Sequence, residues 1–369
     1  GSAIPLTHMQ TLSADLDTDN QPPLSLPFAH FVVGVLVLLV GGAIAGLGPL
    51  VASVQASGAG TIHLLLAGWV GLTIMGAMTQ FVPVWSGTAL HSRRLSVASM
   101  WLVTVGVIGL FLGFFLRSYT WLPGAAAVLL VGFWTFGYNI ARTLPAPAEM
   151  DITEAHFAFA LCCLLAATVL GTLLATDYAV RYLPAGPLSP SGVVLSHLTL
   201  TVFGFVLATI IGALYQLAPM FTQAEATALD THLAHVEMVA FPGGVALLAA
   251  GRLFSLGLLA TLGALWVLLG VAAFTAFFAR RLVLARVERG PMLRRYALVA
   301  ASLGGWVVLT APWWATDPLS FFGRFGSPAA THLLFVGVLA FTIVGTFYHV
   351  VPFIVWYHRY SDKLGYEPV

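Results

Sequence analysis

The sequence predicts an all-α, polytopic membrane helix bundle of about ten transmembrane helices, arranged in pseudo-repeated four-helix units. Three observations carry this: an extreme apolar composition, ten apolar runs of spanning length, and a polar motif that recurs every fourth run. Hydrophobic residues make up 59% of the 369 residues and charged residues 8%, with a mean hydropathy of +0.94. A soluble globule of that composition would have too little polar surface, so the solvent must be lipid. Each span needs about 20 residues, which leaves no room for a large soluble domain. The net charge of +1 offers no field for nucleic acid, which is set aside as a partner.

Residues 1–27 are polar, carry Asp15, Asp17 and Asp19, and lack the basic start and short apolar stretch of a secretory signal. They are expected as a mobile cytoplasmic tail. Punctuation by Pro, Gly and charge then divides the apolar sequence into spans at 28–51, 61–85, 95–117, 120–142, 154–176, 193–221, 233–252, 256–280, 295–315 and 329–357. Residues 28–358 form one transmembrane domain, followed by a cytoplasmic tail at 359–369. The seventh and eighth spans are divided only by Arg252 and its neighbours. An even count of crossings puts both termini on one side. That side collects Arg93, Arg94, Arg142, the six Arg between Arg280 and Arg295, Arg359 and Lys363. Only Arg117, Arg181, Arg252 and Arg324 fall opposite, so the positive-inside rule places both termini in the cytoplasm of a cell membrane.

Cys162 and Cys163 are adjacent on one helix and point about 100° apart, which makes them lipid-facing or core thiols and no disulfide. Trp69, Trp121, Trp313 and Trp314 are expected in aromatic belts. Almost every acid falls in a loop or tail. Glu237, one turn into the seventh span, is the exception and reads as a helix-start charge, so proton pumping is not expected.

The second span reads His63-LLLAGWVGLTIM-Gly76-AMT-Gln80-FV-Pro83. The sixth reads His197-LTLTVFGFVLATII-Gly212-ALY-Gln216-LA-Pro219, and the tenth His332-LLFVGVLAFTIV-Gly345-TFY-His349-VV-Pro352. A weaker echo, Pro27-Phe28-Ala29-His30-Phe31 against Thr153-Glu154-Ala155-His156-Phe157, opens the first and fifth spans. Both echoes recur after four spans. A single His at a membrane interface is ordinarily a satisfied polar residue. The same His at one depth in three repeats points instead to metal or haem ligation, because neutral imidazole is the commonest metal ligand. Gly68, Gly71 and Gly337 would let a flat macrocycle approach the backbone, though small residues serve ordinary helix packing equally.

These residues resemble subunit I of the haem-copper oxidases and the related nitric oxide reductases, a fold of three pseudo-symmetric groups of four helices with ligands on the second, sixth and tenth. The tenth span reproduces the family spacing with His332, His349 and Pro352, and the second is similar in His63, Gly76, Gln80 and Pro83. The likeness covers ten helices; the family's eleventh and twelfth have no counterpart. It implies that His63 and His332 are the axial ligands of one low-spin haem b near the external face. The family's high-spin haem ligand falls at Ala330, and its copper setting is absent, since His197 is followed by Leu198-Thr199 and His232 and His235 lie at the start of the seventh span. Copper is not expected. Arg324, just before the tenth span, is the nearest candidate partner for the haem propionates, with Arg117, Arg181 and Arg252 the other external cations.

The resemblance thus implies a b-type cytochrome that passes one electron to or from a redox partner protein or quinol, because six-coordinate iron has no open position for a substrate. His197 is either a relic of the symmetry bonded to backbone or a ligand of a second site. His349 lies about 25 Å below His332 at about 1.5 Å per residue, so the two cannot share an iron. Its company is His30, His156 and His235, as a second haem site or as a polar belt supporting a quinol or a proton path. One rival reading is a divergent oxidase or nitric oxide-handling enzyme with a second haem or metal centre using His197. Another is a haem or metal carrier, sensor or assembly factor. Further membrane subunits could complete the missing helices.

Overall fold

Ten helices long and apolar enough to cross a membrane make up the computed structural model, which describes residues 22–48 and 58–360, without the side chains of 349–350, 353–354 and 356–360. They are α1 (Ser25–Leu47), α2 (Gly58–Trp85), α3 (Arg93–Phe115), α4 (Tyr119–Ala141), α5 (Ile152–Val180), α6 (Pro190–Thr222), α7 (Ala228–Leu253), α8 (Gly257–Val283), α9 (Pro291–Thr316) and α10 (residues 328–360). The chain is a multi-pass membrane protein, with lipid around an all-α bundle. The proposed tails at 1–27 and 359–369 fall almost wholly outside the described residues. The narrow division at Arg252 is real: α7 ends at Leu253, and Ser255 turns the chain with φ 56° before Gly257 begins α8.

The first N–H groups of a helix have no acceptor within the helix, and side chains at several helix starts supply one. Ser92 accepts from the Leu95 N–H and Ser189 from the Gly192 N–H. Asp151 with Glu154, and Thr227 with Asp230, form reciprocal capping boxes at the starts of α5 and α7. These caps sit where the hydropathy pattern alone left boundaries loose.

The four-helix period is written in the packing. Each of α2, α6 and α10 contains a π-helical segment, Leu64–Val70, Leu200–Leu207 and Leu333–Ala340, each beginning twelve residues before its repeat glycine, Gly76, Gly212 or Gly345. The preceding helix docks on each at matching points. Val37 of α1 sits on Gly68, Cys163 of α5 on Gly204, and Ser302 of α9 on Gly337, so closely that an added Cβ would lie 2.5, 2.6 and 2.3 Å from those side chains. Seven residues earlier on the same helices, His30 lies on Gly76 and His156 on Gly212, with Cβ approaches of 2.8 and 2.7 Å. Arg295 takes this place in the third repeat but packs more loosely, 3.7 Å from Gly345. A second register repeats between α3/α4 and α7/α8, where Gly106 meets Leu129 and Gly132 meets Val103, as Gly244 meets Val267 and Gly270 meets Phe241. Thus α1–α4 and α5–α8 are two copies of one unit, and α9–α10 is the first half of a third.

Two expectations need correcting. Trp314 is fully buried and donates to the Gly323 carbonyl at 2.7 Å, so it is a core residue, while Trp121 and Trp313 are exposed as belts require. The acids are also less peripheral than their positions suggested. Glu154, Asp177, Asp230 and Glu237 are all buried, because capping and pairing draw them inward. Of the adjacent thiols, Cys162 is exposed and Cys163 buried.

Candidate functional site

At the histidine end of the repeat helices, the half-buried His63 Nδ1 is 2.7 Å from the Ala59 carbonyl. A carbonyl only accepts, so Nδ1 carries the proton and Nε2 keeps its lone pair. The ring lies nearly parallel to Phe114 of α3, with centroids 6.3 Å apart, and faces His197 of α6 at 6.4 Å. His197 repeats the arrangement, donating from Nδ1 to the Ala167 carbonyl of α5 at 2.8 Å. Neither Nε2 makes a hydrogen bond to another described residue. Imidazoles oriented by a backbone carbonyl at one nitrogen and free at the other are suited to bind a metal.

The structure therefore brings His63 and His197 together. His332 is exposed at the start of the π segment of α10, and its ring makes no hydrogen bond or ring contact with another described residue. Register explains part of this. Counted back from the repeat glycine, His63 and His332 stand thirteen residues away, whereas His197 stands fifteen away. The three do not share one depth: His197 is displaced by two residues, about 3 Å along a helix. Thr199 occupies the matching place in α6.

Thr199 is held by Arg252, whose Nη1 donates to its hydroxyl at 2.8 Å. Arg252 is completely buried at the end of α7. It also donates from Nε to the Pro318 carbonyl and from Nη1 to the Arg324 carbonyl, both at 3.0 Å, and lies over the Trp314 ring. Its Nη2 is buried without a partner, and no carboxylate pairs with it among the described residues. Arg324, by contrast, turns back onto its own loop, donating to the Phe321 carbonyl at 2.7 Å and covering the Phe321 and Phe325 rings. Desolvation there lowers its pKa from the usual guanidinium range. Of Arg117, Arg181, Arg252 and Arg324, Arg252 is the one buried completely within the bundle.

No family model and no curated protein matches this chain. An oxidase-like reading therefore stands on these residues and on the repeat.

At the opposite, proline end, His156 donates from Nδ1 to the Ile152 carbonyl at 2.7 Å, and its Nε2 lies 3.0 Å from Glu237 Oε1, with both side chains inaccessible. The Tyr215 ring stands 5.7 Å away. His30 makes the equivalent bond to the Leu26 carbonyl at 2.8 Å, but its Nε2 is buried with no partner. His30 and His156 thus pack on different helices, α2 and α6, while His235 is exposed. The His349 side chain lies outside the described residues. Among the described residues, no three His, Cys, Asp or Glu side chains are grouped so as to hold a metal ion.

Sequence reasoning missed three features. The Glu237–His156 pair joins residues 81 positions apart, and Arg252 looked like one surface cation among four. The third feature had a signal: Thr-Ile precedes the repeat glycine by three residues in every copy, as Thr73-Ile74-Met75-Gly76, Thr209-Ile210-Ile211-Gly212 and Thr342-Ile343-Val344-Gly345. All three threonines line a cleft between α2, α6 and α10.

Proposed function

We propose that this protein is a b-type membrane cytochrome of the oxidase subunit I type, passing single electrons to or from a redox partner protein or quinol. His63 and His332 would hold its haem iron, the histidine end faces outward, and both termini lie in the cytoplasm of a cell membrane. The observation that carries this is His63: its Nδ1 proton is committed to the Ala59 carbonyl, its Nε2 is free, and it stands beside Phe114 at a register repeated in His332. His332, exposed at the matching register of α10, would supply the second imidazole. The unpaired Arg252 Nη2, buried with no carboxylate in reach, fits a propionate better than Arg324 does. Haem, when bound, supplies the one-electron couple; the chain orients the imidazoles, excludes water and balances the propionate charge.

A second reading is favoured by the approach of His197 to His63. In it, His197 ligates a second centre, as in a divergent oxidase or nitric oxide-handling enzyme. A reduced-minus-oxidised absorption spectrum with haem extraction separates the two. His63→Ala and His332→Ala should each abolish the low-spin haem signal, and His197→Ala should spare it. Persistence of that signal in both of the first two variants would refute the cytochrome. A spectral shift with carbon monoxide, or loss of haem in His197→Ala, would favour the second centre.

A further inference from the structure

Close-packed interiors leave few voids larger than a water molecule. A cleft with a cavity volume of about 90 Å³, open on one side, nevertheless runs between α2, α6 and α10, where the three repeats face one another. Matching residues of the three repeats line it. Thr73, Thr209 and Thr342 come three before the repeat glycine, and Ile74, Ile210 and Ile343 follow them, with Phe31 and Phe157 added by α1 and α5. Toward the proline end it is bounded by Trp85. No charged side chain of the described residues lines it.

Helical threonines in this protein habitually donate to the carbonyl four residues back, as Thr104, Thr135, Thr172, Thr176, Thr222 and Thr275 do. In the cleft, Thr209 follows the habit, donating to the Phe205 carbonyl at 2.7 Å. Thr73 and Thr342 do not. Both are buried, 6% exposed, and neither hydroxyl has a partner. Two unpaired hydroxyls on different helices, set in a wall whose other hydroxyls, those of Thr209 and Thr346, already have partners, are the complement of one kind of molecule.

We propose that this cleft binds a neutral, lipid-soluble molecule whose apolar body lies along the isoleucines and aromatics and whose head offers oxygen acceptors to Thr73 and Thr342. A charged ligand would meet no compensating charge on the described walls. A flat head with oxygens on two edges, such as a quinone, reaches two helices at once. A neutral acylglycerol shares the chemistry and can come from the bilayer. Binding here does not depend on haem.

The test is a titration of the full chain in nanodiscs with decylubiquinone, read as the part of the tryptophan quenching that disappears in Trp85→Phe. Wild type should quench saturably. Thr73→Val with Thr342→Val should raise the midpoint about tenfold, as loss of two hydrogen bonds would, and Ala213→Phe, which fills the cleft, should abolish saturation. Displacement by monooleoylglycerol would assign the cleft to acylglycerols as well as quinones, whereas resistance to it would assign the cleft to the quinone head. Linear, unsaturable quenching in wild type, or saturation unchanged by these variants, would mean partition into lipid alone and overturn the proposal. Haem content measured on the same samples keeps this separate from the cytochrome reading, since either can fail without the other.

Discussion

His30 and His156 occupy the same place in successive repeats, yet replacing each with Phe should have opposite consequences. His156 Nε2 meets Glu237 at 3.0 Å with neither side chain accessible, and Glu237 Oε2 has no other partner. Because Nδ1 is committed to the Ile152 carbonyl, the pair is either imidazolium with carboxylate or imidazole with carboxylic acid, and is neutral overall in both forms. His156→Phe strands Glu237 in the bundle, and removing one member of a buried pair costs about 3–5 kcal/mol. His30 has only its bond to the Leu26 carbonyl, and its Nε2 is already buried and unpaired. His30→Phe exchanges one hydrogen bond for relief of an orphaned nitrogen and should lie within about 1 kcal/mol of wild type. The double variant His156→Phe with Glu237→Leu should recover most of the loss, since apolar isosteres commonly replace a buried pair without penalty. Unfolding in mixed detergent micelles, followed by circular dichroism, measures all four proteins. Equal losses from His30→Phe and His156→Phe, or no recovery in the double variant, would refute the pairing argument.

Gly204→Ala should destabilise by about 1–3 kcal/mol, because its Cβ would sit 2.6 Å from Cys163 Sγ; Cys163→Gly should restore much of the loss in the same unfolding assay. Maleimide labelling of the detergent-solubilised protein should modify Cys162 and spare Cys163, and Cys162→Ala should remove the label. Arg252→Met deletes the bonds to Thr199 and to the Pro318 and Arg324 carbonyls. It should cost about 3 kcal/mol or more and expose the segment around Pro318–Arg324 to limited proteolysis; unchanged cleavage would mean the loop is held by other contacts.

Much of the fold was legible because hydropathy is a strong signal in lipid: ten runs became ten helices, and the period of four spans reappears in which glycine faces which side chain. The arrangement of the polar residues was harder to read. His63, His197 and His332 looked equivalent, but the two-residue displacement of His197 is visible only when spans are aligned on Gly76, Gly212 and Gly345. Glu237 resembled a helix-start charge, since its partner is supplied by a helix 81 residues away in sequence. Trp314 resembled a belt residue because nothing local indicates that the 317–327 loop folds over it to accept its indole N–H. The three threonines were passed over because a hydroxyl bonded to its own helix is unremarkable in an apolar span; only the packing shows that two of them are not so bonded.

The π-helical segments have a consequence for how these helices could change. Such a segment holds one residue more per turn than the flanking α-helix, so it acts as a coupling that sets the azimuth of one end of a helix independently of the other. In α2, Leu64–Val70 separates His63 from the Gly76–Pro83 half that packs on α1. Deleting one residue there would swing His63 by about 100° around the helix axis while leaving Gly76, Gln80 and Pro83 in register. The histidine end of each repeat can thus be re-aimed by single insertions or deletions that never disturb the packing at the proline end.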